Sequence, residues 1–169
     1  MSPSYLGVER MKEVIDVCCG GRHMWFDKEN KNTVFMDIRR VEPGSIELQP
    51  KWSVEPCVLG SFEKIPFENN SFNLVVCDPP HKIKHSSGLI IQKYGFLGEE
   101  WQSKIKNMFN ECWRVLSPGG TLIIKWADVD IPPRKILSLF SERMLFGTHT
   151  KKGTNNTYFW TFYKPEVKE

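Results

Sequence analysis

The 169-residue sequence has no long hydrophobic run, no paired-cysteine motif and almost no net charge, and each absence removes a class of protein. No apolar stretch approaches the roughly 20 residues that a membrane-spanning helix needs. Nothing at the N-terminus resembles a signal peptide, so a cytoplasmic protein with no membrane partner is expected. Five cysteines occur, at positions 18, 19, 57, 77 and 112, and none form a C-x-x-C pair. Neither a zinc site nor a disulfide framework is indicated. Cys18 and Cys19 are adjacent and do not easily bridge each other, and reduced thiols suit a cytoplasmic setting. The four histidines (23, 81, 85 and 149) are scattered and support no metal centre. A net charge of +3 does not by its average announce a nucleic-acid binder. Repeats and low-complexity tracts are absent, and one domain over residues 1–169 is expected.

What is present reads as an ordinary globular chain. At 40% hydrophobic and 25% charged residues, a chain this size buries enough surface to need no staple. Aromatics are plentiful, six of them Trp, and most belong in a core.

The chain is organised around Asp78-Pro79-Pro80-His81. It ends the apolar run Phe72-Asn73-Leu74-Val75-Val76-Cys77, which has the length of a strand buried on both faces of a parallel sheet. Two prolines stop that strand, since neither donates to a ladder and each fixes its own φ. A carboxylate is thus held stiffly at the carboxyl end of a central strand, where open α/β sheets bind ligands. An ordinary Asp-Pro turn is the alternative on local chemistry alone.

Taken in order, residues 1–12 form a polar lead-in, and residues 13–18 a short buried strand. Cys19-Gly20-Gly21 then leads into an expected helix over Arg22–Lys28, a strand–turn–helix opening in which the glycines let the backbone approach a ligand. Thr33–Met36 is the second strand, ending in Asp37, an acid at the spacing that suits a ribose hydroxyl pair. Residues 39–55 read as an irregular surface insertion with a small hairpin, and 56–60 as a third strand. Residues 81–98 form a long connection carrying Lys82, Lys84 and Lys93 and no acid, the length of a lid or binding loop. From Glu99 to Leu116 the pattern is helical, with Ile105, Phe109, Cys112 and Leu116 on one stripe. Ser117-Pro118-Gly119-Gly120 reads as a turn, 121–126 as the fifth strand, and Arg134–Arg143 as a helix opened by Pro132-Pro133. Residues 144–148 and 157–163 complete the set as an antiparallel hairpin around the turn 153–156. The expected fold is α/β: a Rossmann-like, doubly wound, seven-stranded sheet, mostly parallel with a C-terminal antiparallel hairpin.

At this point the residues resemble class I S-adenosylmethionine-dependent methyltransferases. Four stretches carry the resemblance: Asp16-Val17-Cys18-Cys19-Gly20-Gly21; Asp37; Lys64 to Val75; and Arg114-Val115-Leu116-Ser117-Pro118-Gly119-Gly120-Thr121-Leu122. A nicotinamide dehydrogenase would share only the first two. The resemblance implies S-adenosylmethionine as cofactor and no metal. It implies that Cys18, Cys19, Gly20 and Gly21 pass close to the cofactor's methionine part, with Asp16 near its amino group. Asp37 would accept from the ribose hydroxyls, and Ile38 and Phe62 would sandwich the adenine. Ser61 stands where the family often carries an acid for the adenine amino group.

Asp78-Pro79-Pro80-His81 resembles the (Asp/Asn/Ser)-Pro-Pro-aromatic signature of methyltransferases acting on planar nitrogen. An exocyclic amine shares its lone pair with its ring and is a poor nucleophile. Asp78 and the Pro79 carbonyl would accept its two N–H bonds, which makes Asp78, Pro79 and His81 the catalytic candidates, with Asp78 also bordering the cofactor. His81 would stack on a flipped base, bond a phosphate or orient the loop. Pro80, His81, Lys82, Lys84 and Lys93 are the substrate-binding candidates. The implied reaction is methylation of an exocyclic amino group of a nucleic-acid base, adenine-N6 in DNA first. The alternatives are an RNA base, a protein glutamine, a small molecule, or a cofactor-binding module without catalysis. Nothing resembles a target-recognition domain, so specificity falls to loop 81–98, residues 39–55, a second subunit or a partner.

Overall fold

A computed structural model describes residues 13–149, 151–153 and 155–166. The lead-in read over 1–12 lies outside the described residues, as does Thr154 of the 153–156 turn.

Three parallel neighbours set the frame. β1 (Val14–Asp16) lies between β2 (Thr33–Asp37) and β4 (Phe72–Cys77), so the strand order reverses direction at β1. β3 (Val58–Leu59) extends one edge, and β5 (Leu116–Ala127) continues the other in parallel with β4. β7 (Thr157–Tyr163) then pairs antiparallel with β5, and β6 (Phe146–Gly147) antiparallel with β7. The full order β3-β2-β1-β4-β5-β7-β6 is the expected seven-stranded, mostly parallel sheet with its C-terminal antiparallel pair. The reversal opens a crevice beyond the carboxyl ends of β1 and β4, the ligand position of doubly wound sheets.

The core lies on one face of this sheet. Val75 and Cys77, then Leu122, Ile124 and Trp126, then Tyr158, Trp160 and Phe162 alternate inward along β4, β5 and β7. They meet the buried stripe Ile105, Met108, Phe109, Cys112 and Val115 of α2 (Trp101–Val115). Burial at every third or fourth residue is what makes this segment a helix that docks along one side. Phe109 stacks on Phe140 at 4.3 Å and meets the Phe162 ring edge-on at 5.2 Å.

The same helix ties together two stretches that the sequence shows far apart. The Arg114 guanidinium donates to the carbonyls of Ile65 and Phe67 at 2.9 and 2.8 Å, while Glu111 Oε2 accepts from the Ile65 amide at 2.8 Å. Residues 64–72 and 114–122 therefore act as one joint that delivers the chain into β4.

Several expected elements differ. The helix over Arg22–Lys28 is absent: these residues form turns. Arg22 adopts φ 54°, outside helical space, and its guanidinium reaches the carbonyls of Lys28 and Glu55 and lies 4.0 Å over the Phe35 ring. The turn 117–120 is instead taken into β5 as a bulge, since Phe72 pairs with Leu116 but Leu74 with Thr121. Gly120 is required there, because a Cβ would fall 2.6 Å from Leu116 Cδ1 and 2.7 Å from the Ser117 carbonyl. The connection 81–98 contains a helix, α1 (Leu89–Tyr94), that periodicity did not reveal. The last helix is shorter than the expected 134–143, spanning only α3 (Pro133–Leu137) before the chain turns to bring Phe140 onto Phe109. The insertion 39–55 is irregular and closed by an antiparallel bridge between Val41 and Val54, as expected. Among the described residues no helix is long and apolar enough to cross a membrane.

Candidate functional site

The carboxyl ends of β1, β2 and β4 bring Asp16, Asp37 and Asp78 to one edge of the sheet, where Asp78 borders one space with Asp37 and another with Asp16. Asp37 Oδ2 accepts from the Gly20 amide at 3.0 Å, and Oδ1 from the Arg39 amide at 3.0 Å. The acid at the end of β2 thereby holds the glycine turn after β1. Gly20 takes φ 48°, a region open to glycine at little cost. At Gly21 a Cβ would lie 2.9 Å from Trp52 Nε1, so the turn must stay bare.

Asp16 is only 1% exposed. Its Oδ2 accepts from Trp25 Nε1 at 2.7 Å and its Oδ1 from the Cys18 amide at 3.2 Å. Burial pushes its carboxyl up to about 7, against those two hydrogen bonds and with the help of the negative charges of Asp78 and Asp37.

Asp78 is treated differently by its surroundings. Its Oδ2 accepts from Lys125 Nζ at 2.6 Å. Its Oδ1 lies 3.0 Å from His81 Nε2 but is buried without a hydrogen-bond partner. Burial alone would raise this carboxyl; the facing His81 and Lys125 outweigh it and hold Asp78 below the ordinary range. Asp78 is therefore a carboxylate at neutral pH while Asp16, a strand away, is poised between its two forms.

The thiols here are inert. Cys18 Sγ lies 3.7 Å from Cys77 Sγ. The Cys77 contact draws the Cys18 thiol down, but burial and the charges of Asp37 and Asp16 leave it at about 11. Burial likewise drives Cys19 and Cys77 well above the usual thiol value. A thiolate nucleophile is excluded at neutral pH. Among the described residues no group of His, Cys, Asp and Glu is placed to hold a metal ion.

The cleft itself is narrow, about 60 Å³, between Asp37, Gly60, Phe62, Asp78 and Pro80. Past Phe62 and Pro80 it runs into a wider compartment of about 330 Å³ edged by Ser61, Glu63 and Phe96. Ile38, 68% exposed, and half-buried Phe62 border both. The Cys19, Gly20 and Gly21 turn borders a third, small space beside Asp16 and Asp78. Tyr94, from α1, lines all three. Arg39 fastens α1 there, its guanidinium donating to the carbonyls of Lys93 at 2.6 Å and Gln92 at 3.3 Å.

Sequence reasoning missed Lys125, Glu63, Tyr94, Arg39 and Trp25. Lys125 had a signal, a lone lysine in the apolar run 121–126. Glu63 Oε1 is buried with no partner, two residues beyond Ser61, whose Oγ is occupied by the Glu63 amide at 3.2 Å. The lysines of 81–98 do not converge. Lys82 pairs with Asp130 at 3.1 Å, Lys84 is exposed, and Lys93 Nζ lies 5.2 Å from the Tyr94 ring centroid and 5.6 Å from that of Trp52. His81 packs edge-to-face with Trp126 at 4.9 Å. Pro79 is buried and Pro80 half-buried.

Solved structures share this architecture. A protein from Pyrococcus horikoshii matches with TM-score 0.54 at 18% identity, over 90% of this chain and 81% of its own. The N-methyltransferase NodS from Bradyrhizobium japonicum matches with TM-score 0.51 at 13% identity, over 90% and 85%. A SAM-dependent methyltransferase from Leishmania major matches with TM-score 0.50 at 14% identity, over 88% and 63%. No protein-family model and no curated protein matches the sequence. At these identities the fold is what is shared, and it is the Rossmann-like fold of class I methyltransferases.

Proposed function

We propose that the protein is an S-adenosylmethionine-dependent methyltransferase acting on an exocyclic amino group of a nucleic-acid base, adenine-N6 in DNA before a base in RNA. The observation that carries this reading is Asp78 Oδ1, buried beside the glycine turn, where it makes no aligned hydrogen bond and faces the His81 Nε2 at 3.0 Å. A carboxylate oxygen keeps a further lone pair beyond one such contact, and in a buried cleft that lone pair is open to a donor brought by a ligand. An amine on a planar ring brings two N–H donors.

The residues around the cleft fit the cofactor. Each Asp37 oxygen keeps an unused lone pair beyond its bond to Gly20 or Arg39, available to ribose hydroxyls. Glu63 Oε1, orphaned and on a residue bordering the wider compartment, is an acceptor for the adenine amino group in place of the acid that the family often carries where Ser61 stands here. Ile38 and Phe62 offer flanking apolar surface, Asp16 a carboxyl that a bound ammonium would draw into its ionised form, and the bare Cys19-Gly20-Gly21 turn a close backbone approach. When bound, S-adenosylmethionine supplies a methyl group already activated on a sulfonium, so the reaction needs no metal.

The chain's own part is to hold and orient. Asp78 Oδ1 and the Pro79 carbonyl accept the two amine N–H bonds and draw the nitrogen lone pair away from the ring. Their rigidity is preorganisation, since β4 fixes one side and two prolines the other. The nitrogen gives up one proton to water as it gains the methyl group. Most of the rate comes from alignment at near-attack distance.

Two observations favour a second reading, the same planar-amine chemistry on a protein glutamine or a small molecule. The His81 ring is held edge-to-face against Trp126 and at ion-pair distance from Asp78, and Asp130 already engages Lys82, which leaves less for a flipped base and its phosphates. The test is tritiated-methyl transfer to DNA, RNA and protein in parallel, followed by digestion to identify the labelled unit. Label in N6-methyladenine supports the first reading, label in glutamine or in no polymer the second.

A further inference from the structure

A lysine within a central strand is costly unless its ammonium finds a partner. Lys125 interrupts the apolar run Thr121 to Trp126 of β5. Parallel register pairs Val76 with Ile123 and Cys77 with Ile124, so the next step along both strands sets Asp78 level with Lys125. The Lys125 Nζ lies 2.6 Å from Asp78 Oδ2, with the two side chains 26% and 22% exposed. The two oxygens of one carboxylate are thereby made unlike. Oδ2 has a permanently charged donor at hydrogen-bond distance; Oδ1 is buried, makes no aligned hydrogen bond and faces only the titratable His81 Nε2 at 3.0 Å.

We infer that Lys125 is a positioning residue: it grips Asp78 Oδ2, fixes the rotation of the carboxylate, and leaves Oδ1 turned toward the substrate amine. This rests on the planar-amine reading above. An ammonium suits the task because it is a compact point charge that holds one oxygen, whereas a guanidinium fork takes both. Lys125 also sets the charge state. Three groups face Asp78: His81 from its own loop, Lys125 from β5 and the Asp16 carboxyl from β1. Burial works against ionisation, His81 and Lys125 work for it, and Asp16, raised to about 7, is neutral over the range in which Asp78 titrates. Without Lys125 the carboxyl would take up a proton at higher pH and lose the acceptor that the amine requires.

The test reads both the carboxyl and the chemistry. Carbon-13 NMR would follow the Asp78 carboxyl titration in wild type, Lys125→Met and Lys125→Arg, alongside pH profiles of methyl transfer to DNA and cofactor affinity by calorimetry. In Lys125→Met the Asp78 titration should move up by about one pH unit or more. Turnover at pH 7 should fall by about tenfold or more, and the acid limb of its profile should move up with the carboxyl. Cofactor affinity should stay within about twofold, since Lys125 acts on the acceptor and not on the cofactor. Lys125→Arg, which keeps the charge, should hold the Asp78 titration low. An unmoved titration in folded Lys125→Met overturns the inference, as does an unmoved turnover and acid limb. If Lys125→Met does not fold, wild type decides: an Asp78 carboxyl at or above the ordinary 3.8 overturns it. A titration that moves in a protein that methylates no amine would keep the Lys125–Asp78 coupling and refute the planar-amine reading instead.

Discussion

Asp16 makes the stability of this protein depend on pH in an unusual direction. Most buried carboxylates in a fold are held ionised, and acid weakens them. Asp16 is instead pushed by burial from 3.8 to about 7. The sign follows from proton binding. Between those two values the folded state carries a proton that the unfolded state has lost, so stability falls as pH rises. Over the whole span the loss is about 4 kcal/mol, at 1.36 kcal/mol for each tenfold change in proton affinity. About 2.5 kcal/mol of it falls between pH 5 and pH 8, a large share of a marginal stability. Asp78, Glu111 and Asp130 are depressed, so the folded state keeps them ionised across that window and they add only a small rise near pH 5, common to wild type and variant. His23 is lowered by burial and adds a small rise with pH, common to wild type and variant. The perturbation is Asp16→Asn, which keeps an acceptor for Trp25 and cannot ionise. Urea unfolding at pH 5, 6, 7 and 8 should show wild type losing about 2.5 kcal/mol relative to the variant between the ends of the series. Parallel profiles for the two proteins would refute a buried, neutralised Asp16.

Three further outcomes are expected. Asp78→Ala should lower kcat by roughly 10²–10³, the scale for one transition-state hydrogen bond, with cofactor affinity moving far less; equal losses in turnover and calorimetric affinity would make Asp78 a structural residue. Asp37→Ala should weaken cofactor binding by about 1.5–3 kcal/mol in calorimetry, since both a ribose acceptor and the anchor of the Gly20 amide are lost. If the substrate is nucleic acid, Lys84→Ala should flatten the log–log salt dependence of binding by about one, and Lys82→Ala by less because Asp130 already neutralises it.

The succession of strands along the chain was legible in the sequence because it rests on local signals. Apolar runs bounded by Gly, Pro and acids mark each strand, and the helical stripe 105–112 marks the one long helix; neither depends on distant partners. The placement of Asp16, Asp37 and Asp78 at strand ends follows from the same pattern, and strand ends in a parallel sheet gather at one edge whatever packs around them. Tertiary structure alone decided the rest. Arg22 left helical space to reach Glu55, a partner 33 residues away, so the expected second element never formed. The loop 81–98 carries no acid of its own, yet Asp130 comes to Lys82 across the fold. Lys125 and Asp78 stand 47 residues apart and become neighbours only through the β4–β5 register. A strand pattern says which face a side chain takes, but not which strand lies beside it. The carboxylates could therefore be found from sequence, while their charge states, set by burial and by partners drawn from other strands, could not.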